Sequence, residues 1–230
     1  MRFLCLHGAG TNGEVRTFDR DNFNANPRHQ IFEIQTGGIR QQLEKKGHIF
    51  KFVNGKMDAA VESELEGVVD GPFYNHYPRS PAVPSAHLKE AFEHVLNIIA
   101  TEGPFDAVMG FSQGAALASA LIAHQAKAHP EQPSLFRAAV FICGGAPWEG
   151  AGLNYIASQP DTYAINIPTA NIVGKIDPLY PESMKLYQLC EPSKAAFYDH
   201  GSKHMVPFDM KNTEEMVRVI EETVAKAIRG

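Results

Sequence analysis

Apolar residues gather in six short runs, at 3–6, 49–53, 107–109, 138–142, 170–173 and 195–198. Apart from Lys51 and Asn171, the runs are apolar at successive positions rather than at every second one, the pattern of strands buried on both faces of a parallel sheet. Between the runs, apolar residues fall at helical spacing over 32–46, 86–102, 113–129, 181–189 and 213–228. Asn212-Thr213-Glu214-Glu215 reads as the start of the last helix, with Asn or Thr as its cap and acids in the first turn. Strand and helix in alternation predict an α/β fold, a mostly parallel sheet with helices on both faces. Residues 1–230 read as one such domain.

Two stretches break the rhythm. Residues 54–85 carry Gly55, Gly67, Gly71, Pro72, Pro78, Pro81 and Pro84, and are too long for a plain connection. The expectation is a short lid or pocket-wall loop. Phe73, Tyr74 and Tyr77 are its candidates for contacting substrate, although packing of the loop onto the core explains the same aromatics equally well. The second stretch, 15–30, is polar and dense in Asn, Asp and Arg.

Composition narrows the classes. Hydrophobic residues make up 44% and charged residues 20%, enough apolar material for a sizeable core. A formal net charge of -5, with Lys45-Lys46 an isolated pair, gives no electrostatic reason to expect nucleic acid or an anionic membrane. Nothing approaches the roughly 18 consecutive apolar residues of a membrane span. The apolar run before His7 and Gly8 is too short for a signal peptide. Cys5, Cys143 and Cys190 show neither a disulfide framework nor metal-ligand spacing. A cytoplasmic protein is the expectation.

The chemistry centres on Gly110-Phe111-Ser112-Gln113-Gly114. An apolar run leads into this G-x-S-x-G, and Ala115, Ala116, Ala118, Ser119 and Ala120 follow it. A nucleophilic serine on a sharp strand-to-helix turn needs that arrangement, because the flanking glycines let neighbouring backbone approach without a Cβ clash. The pentapeptide alone is weak; its setting makes Ser112 the candidate nucleophile of an α/β-hydrolase fold. The partners of such a serine follow it in the order acid, then histidine, each after a later strand. Asp177, in Val173-Gly174-Lys175-Ile176-Asp177-Pro178, is the candidate acid, and His204 the candidate base, with His200 its nearby rival. Two backbone N–H groups must hold the oxyanion. Gln113 is the candidate for one and Ala9, in Leu6-His7-Gly8-Ala9-Gly10, for the other. His7 reads as a brace for that loop. Apart from His200 and His204, the histidines show no HxxxH or HxH grouping, so no metal site is expected.

Taken together, FLCLHGAGTNG, IFEIQTGGIRQQLE, EGPFDAVMGFSQGAALA, AVFICGGAP, PTANIVGKIDPL and HGSKHMVP resemble the fungal serine hydrolases known as the FSH family. The resemblance implies an esterase or thioesterase that needs no cofactor, with its triad on Ser112, Asp177 and His204. It implies a small-molecule acyl ester or thioester as substrate. For members encoded beside polyketide synthases it implies release or editing of chains held on an acyl carrier protein. A general short- or medium-chain carboxylesterase is the enzymatic alternative, and a catalytically silent binding protein the alternative from another class.

The family pattern runs from G-T-N-x almost directly into IFEIQTGGIR, whereas about 16 residues, 15–30, intervene here. We read them as a translated, unspliced intron, with a genuine inserted surface loop as the alternative, since such a loop costs little. Codons for Val15-Arg16 accommodate a donor-like GTAAGA, Ala25-Asn26 a branch-like GCTAAC and Gln30 an acceptor CAG, and the frame is kept. Transcript reads are expected to join the Glu14 codon to that of Ile31. Peptides covering 22–28 recovered from native tissue would overturn the intron reading.

Overall fold

The computed structural model describes residues 1–13, 31–69, 71–79, 85–150 and 154–230. The 15–30 segment and residues 80–84 of the 54–85 stretch lie outside the described residues.

The six apolar runs are six parallel strands: β1 (Arg2–Leu6), β2 (Ile49–Val53), β5 (Ala107–Phe111), β6 (Ala138–Ile142), β7 (Thr169–Val173) and β8 (Ala195–Asp199). They lie in the order β2-β1-β5-β6-β7-β8. β5 runs two residues beyond its apolar core because Gly110 pairs with both Leu6 and Phe141 and keeps the ladder going. Continuous burial along β5, β6 and β7 follows from this central position: each strand sends alternate side chains to two dry faces.

Helices cover both faces. On one, α3 (Ser85–Glu102) and α4 (Gln113–Ala128) pack Leu88, Phe92, Leu117 and Leu121 against Leu4, Leu6, Val108 and Phe141. On the other, α2 (Gly37–Glu44) and α6 (Met210–Arg229) pack Ile39, Leu43, Met216 and Ile220 against Phe3, Cys5, Met109 and Val140. A short α5 (Tyr180–Tyr187) adds Leu186 to the first face.

The expected helix at 32–46 is two helices, α1 (Ile31–Gln35) and then α2. The break falls at Thr36, whose hydroxyl donates to Phe32 O, just before Gly37-Gly38. The last helix begins at Met210, not Thr213. Its cap is Asp209, whose carboxylate accepts from Asn212 N–H, so the expected capping by Asn212 or Thr213 is corrected. The 54–85 stretch is more than a loop: β3 (Met57–Asp58) and β4 (Tyr74–Asn75) form a small antiparallel ribbon around a 3₁₀ turn at Ser63–Leu65.

Leu117 lies in the middle of α4, fully buried over the sheet. Leu117→Ala is expected to lower unfolding free energy by about 2–5 kcal/mol. The urea midpoint checks this, and a loss below about 1 kcal/mol would contradict the packing.

Candidate active site

β5 ends at Phe111 and α4 begins at Gln113, leaving a single residue to turn the chain. Ser112 makes that turn with φ 52° and ψ -115°, a region costing a non-glycine residue about 1–3 kcal/mol. Close packing around it holds the turn. A Cβ on Gly114 would lie 2.2 Å from Leu6 O, and one on Gly110 would lie 2.5 Å from Ala115 N. Ser112 N–H donates to Ile142 O, so the turn is also tied to β6.

The other two candidates come from the C-terminal ends of later strands. Asp177 follows β7 and His204 follows β8. His204 Nε2 lies 2.8 Å from Ser112 Oγ, and its Nδ1 lies 2.7 Å from Asp177 Oδ2. The second carboxylate oxygen of Asp177 accepts from Leu179 N–H. Burial pushes the Asp177 carboxyl upward, but the hydrogen bonds from His204 and Leu179 outweigh it, and the group sits below the usual range. Its side chain is fully buried while that of His204 is 25% exposed, which leaves the imidazole open to a substrate. Phe111 packs against the His204 ring at 5.0 Å.

The chain belongs to the serine hydrolase (FSH1) family. The family model matches residues 26–216. Esterase FPY3 of Fusarium mangiferae is 33% identical, with all of this chain and all of that protein aligned. Hydrolase phiM of Talaromyces stipitatus is 27% identical over 96% of this chain and 87% of its own length. Among solved structures, a Bacillus cereus carboxylesterase superposes with a TM-score of 0.58 at 16% identity, over 96% of this chain and 87% of that one. SOBER1 F65L of Arabidopsis thaliana also gives 0.58, at 17% identity, over 97% of this chain and 100% of that one. These neighbours establish the α/β-hydrolase fold, and the FSH family makes the chain a serine hydrolase.

The two candidate oxyanion amides belong to segments that meet at the serine. Gln113 N–H is the first of α4, and Ala9 sits in the loop after β1. That loop reaches the serine, since a Cβ on Gly8 would be 3.5 Å from Ser112 Cβ. Among the described residues neither amide has a hydrogen-bond partner. His7 lies under this loop. Its Nδ1 donates to Gly8 O at 2.6 Å and its Nε2 accepts from Gly55 N–H at 2.9 Å, a pattern only the neutral ring satisfies. Burial pushes its pKa down to about 4. His76 stacks on it and donates through Nε2 to His7 O; burial holds its pKa well below the ordinary value too.

Tyr77 is buried in the apolar cluster under α3 and α4, while Phe73 and Tyr74 are half-buried, and Tyr74 N–H bridges to Thr11 O. His200 has other partners than the serine. Its Nδ1 accepts from Ser202 N–H and its Nε2 lies 3.5 Å from Cys143 Sγ. Cys143 itself, at φ 46°, was not marked by any spacing. Its sulfur and one atom each of Asp177 and His204 lie within 4.8 Å of one another, a set with metal-ligand chemistry. His204 Nδ1 is committed to Asp177, and burial keeps the thiol protonated, so in this state the set is a hydrogen-bonded His204–Asp177 pair backed by a neutral thiol.

His7, His76, His94 and His200 are all held below the ordinary histidine value, first by burial. A depressed histidine pKa means that the unfolded chain binds the proton more readily, so stability falls as pH drops below 6.5 and, for His7, continues to fall towards about 4. Asp177, depressed as well, extends the loss to lower pH. The urea midpoint is expected to decline steadily from pH 7 to pH 4, and a flat profile would contradict neutral histidines beneath the loop.

Proposed function

We propose that this serine hydrolase cleaves carboxylic esters or thioesters of small molecules through an acyl-enzyme on Ser112. The observation that carries the reading is the unbroken hydrogen-bonded line from Ser112 Oγ through His204 to Asp177. His204 Nε2 takes the hydroxyl proton as Oγ attacks the carbonyl carbon. The oxygen gains negative charge and turns towards the Ala9 and Gln113 amides, with the N-terminus of α4 behind it. Asp177 orients the ring and stabilises the imidazolium. His204 returns the proton to the departing alcohol or thiol. Water then attacks the acyl-enzyme, its proton passing to the same nitrogen, and the acid leaves with Ser112 restored.

Exposed Ile176 and Leu179 flank Asp177, and Phe208 follows His204 by four residues. Apolar side chains at the rim support an apolar acyl group as the part recognised. Phe73 and Tyr74, half-buried on the ribbon, are the further candidates to line its path. A carrier-bound polyketide thioester is the finer reading, supported by the FSH resemblance and by fungal relatives that are named as esterases. Three free, buried cysteines support a reducing, cytoplasmic setting. No helix among the described residues is long and apolar enough to cross a membrane.

Ser112→Ala is expected to retain the folded near-UV spectrum and lose hydrolysis of aryl esters. A fluorophosphonate is expected to label Ser112 alone. Asp177→Asn is expected to lower kcat by orders of magnitude with a smaller change in KM. Undiminished turnover by Ser112→Ala would refute the assignment. Rates on acyl thioesters at or above those on aryl esters would favour the carrier-bound substrate, and the reverse a general carboxylesterase.

A further inference from the structure

The residue after the nucleophile has a side chain with work of its own. Gln113 is buried, and its carboxamide spans one peptide unit of the 54–79 stretch. Oε1 accepts from His76 N–H at 2.8 Å, and Nε2 donates to Tyr77 O at 2.9 Å. One acceptor and one donor at that spacing is what a carboxamide offers; a carboxylate satisfies the first contact and repels the second.

The same short segment grips the other half of the oxyanion site. Asn75 Oδ1 accepts from Gly10 N–H at 2.9 Å, and Tyr74 N–H donates to Thr11 O at 2.7 Å. His76 Nε2 reaches His7 O at 3.1 Å. Gly55 is pressed so closely to this segment that a Cβ there would meet Asn75 O at 2.2 Å, while its N–H donates to His7. Ala9 therefore sits between two residues, His7 and Gly10, that are both fastened to residues 75–76. Gln113 is fastened to residues 76–77.

We infer that the Gln113 side chain, Asn75 and His76 form a brace that fixes the Gln113 and Ala9 amides relative to each other across Ser112. They are positioning residues, acting on the oxyanion through the two backbone N–H groups. Residues 74–77 are thus a fixed wall. The inference rests on the acyl-enzyme reading above. Its energetic logic is that donors aimed at a developing charge lose most of their value when displaced by about 1 Å.

Two substitutions separate this role from bulk packing. Gln113→Met keeps length and volume but removes both bonds. Gln113→Glu keeps the acceptor, and regains a donor only when its carboxyl is protonated, which burial favours at a higher pH than usual. The titratable groups packed nearby are His7, His76, His94 and Tyr77. Burial holds the three histidines below their ordinary value and Tyr77 above its own, so each favours its neutral form over the working range from pH 5 to 8 more than a free side chain does. Taking the ratio of variant to wild-type kcat removes the pH effects that the two proteins share.

The experiment measures kcat and KM on an aryl ester, and the fluorophosphonate inactivation rate, from pH 5 to 8. Gln113→Met is expected to lower kcat and the inactivation rate about tenfold or more with KM within about twofold. Asn75→Ala is expected to do the same from the opposite end of the brace. For Gln113→Glu, the ratio of its kcat to the wild-type value is expected to rise as pH falls. Wild-type kcat in Gln113→Met, or a flat ratio for Gln113→Glu, would overturn the inference. If Gln113→Met does not fold, the Gln113→Glu ratio decides alone. Wild-type protein that fails to label at Ser112 would overturn the acyl-enzyme reading together with the brace; labelled wild type with unchanged variants would overturn the brace only.

Discussion

The structure turns on one strained residue. Ser112 must pass from a central strand into a helix in a single step, and the only way through is a backbone conformation that side chains avoid. Everything around it offsets that cost. Gly110 and Gly114 let α4 sit against β1 and the turn, at distances that leave no space for a Cβ. The ladder continues through Ser112 N–H to β6, and Gly145 N–H meets Ser112 O from the other side. Small residues at the start of α4 then let the helix lie close over the sheet, fully buried for three turns. The strain is what leaves Oγ and the first helical amide facing the same space.

Electrostatics at this centre works by contrast in solvation. The Asp177 carboxylate is dry and fully bonded, so it stays charged at neutral pH and has one use, to hold His204 Nδ1. His204 is partly wet and turns Nε2 to Ser112 Oγ. His7 and His76 lie beneath the same site but are dry and already bonded as neutral rings, which removes them from proton chemistry and makes them structural. Three histidines within one short region thus have separate functions, set by water and by partners rather than by residue type.

Much of this was legible in residue order. The apolar runs located every strand of the main sheet; the four central ones, β1, β5, β6 and β7, stand out because they have almost no wet face to encode. Ser112, Asp177 and His204 could be picked out because each sits just past a strand, where the fold gathers its loops. What escaped was contact between segments remote in sequence. Nothing in the composition of residues 54–79 announced that Asn75 would meet Gly10 or that His76 would meet Gln113. Cys143 is a core residue, but nothing in its sequence setting told that its sulfur would come within reach of Asp177 and His204. The Thr36 break and the Asp209 cap were missed because a local hydrogen bond overrode an otherwise continuous apolar period.

The order of the strands in the sheet carries a consequence for biosynthesis. The loop after β1 leaves the ribosome first, yet its neighbour in the sheet, β5, is made about a hundred residues later, and the base only after β8. No growing chain that stops short of residue 204 can join Ser112, His204 and Asp177 in one hydrogen-bonded line. The hydrogen-bonded line proposed to do the chemistry thus waits for β8 to join the edge of the sheet, and the order of synthesis acts as its timer.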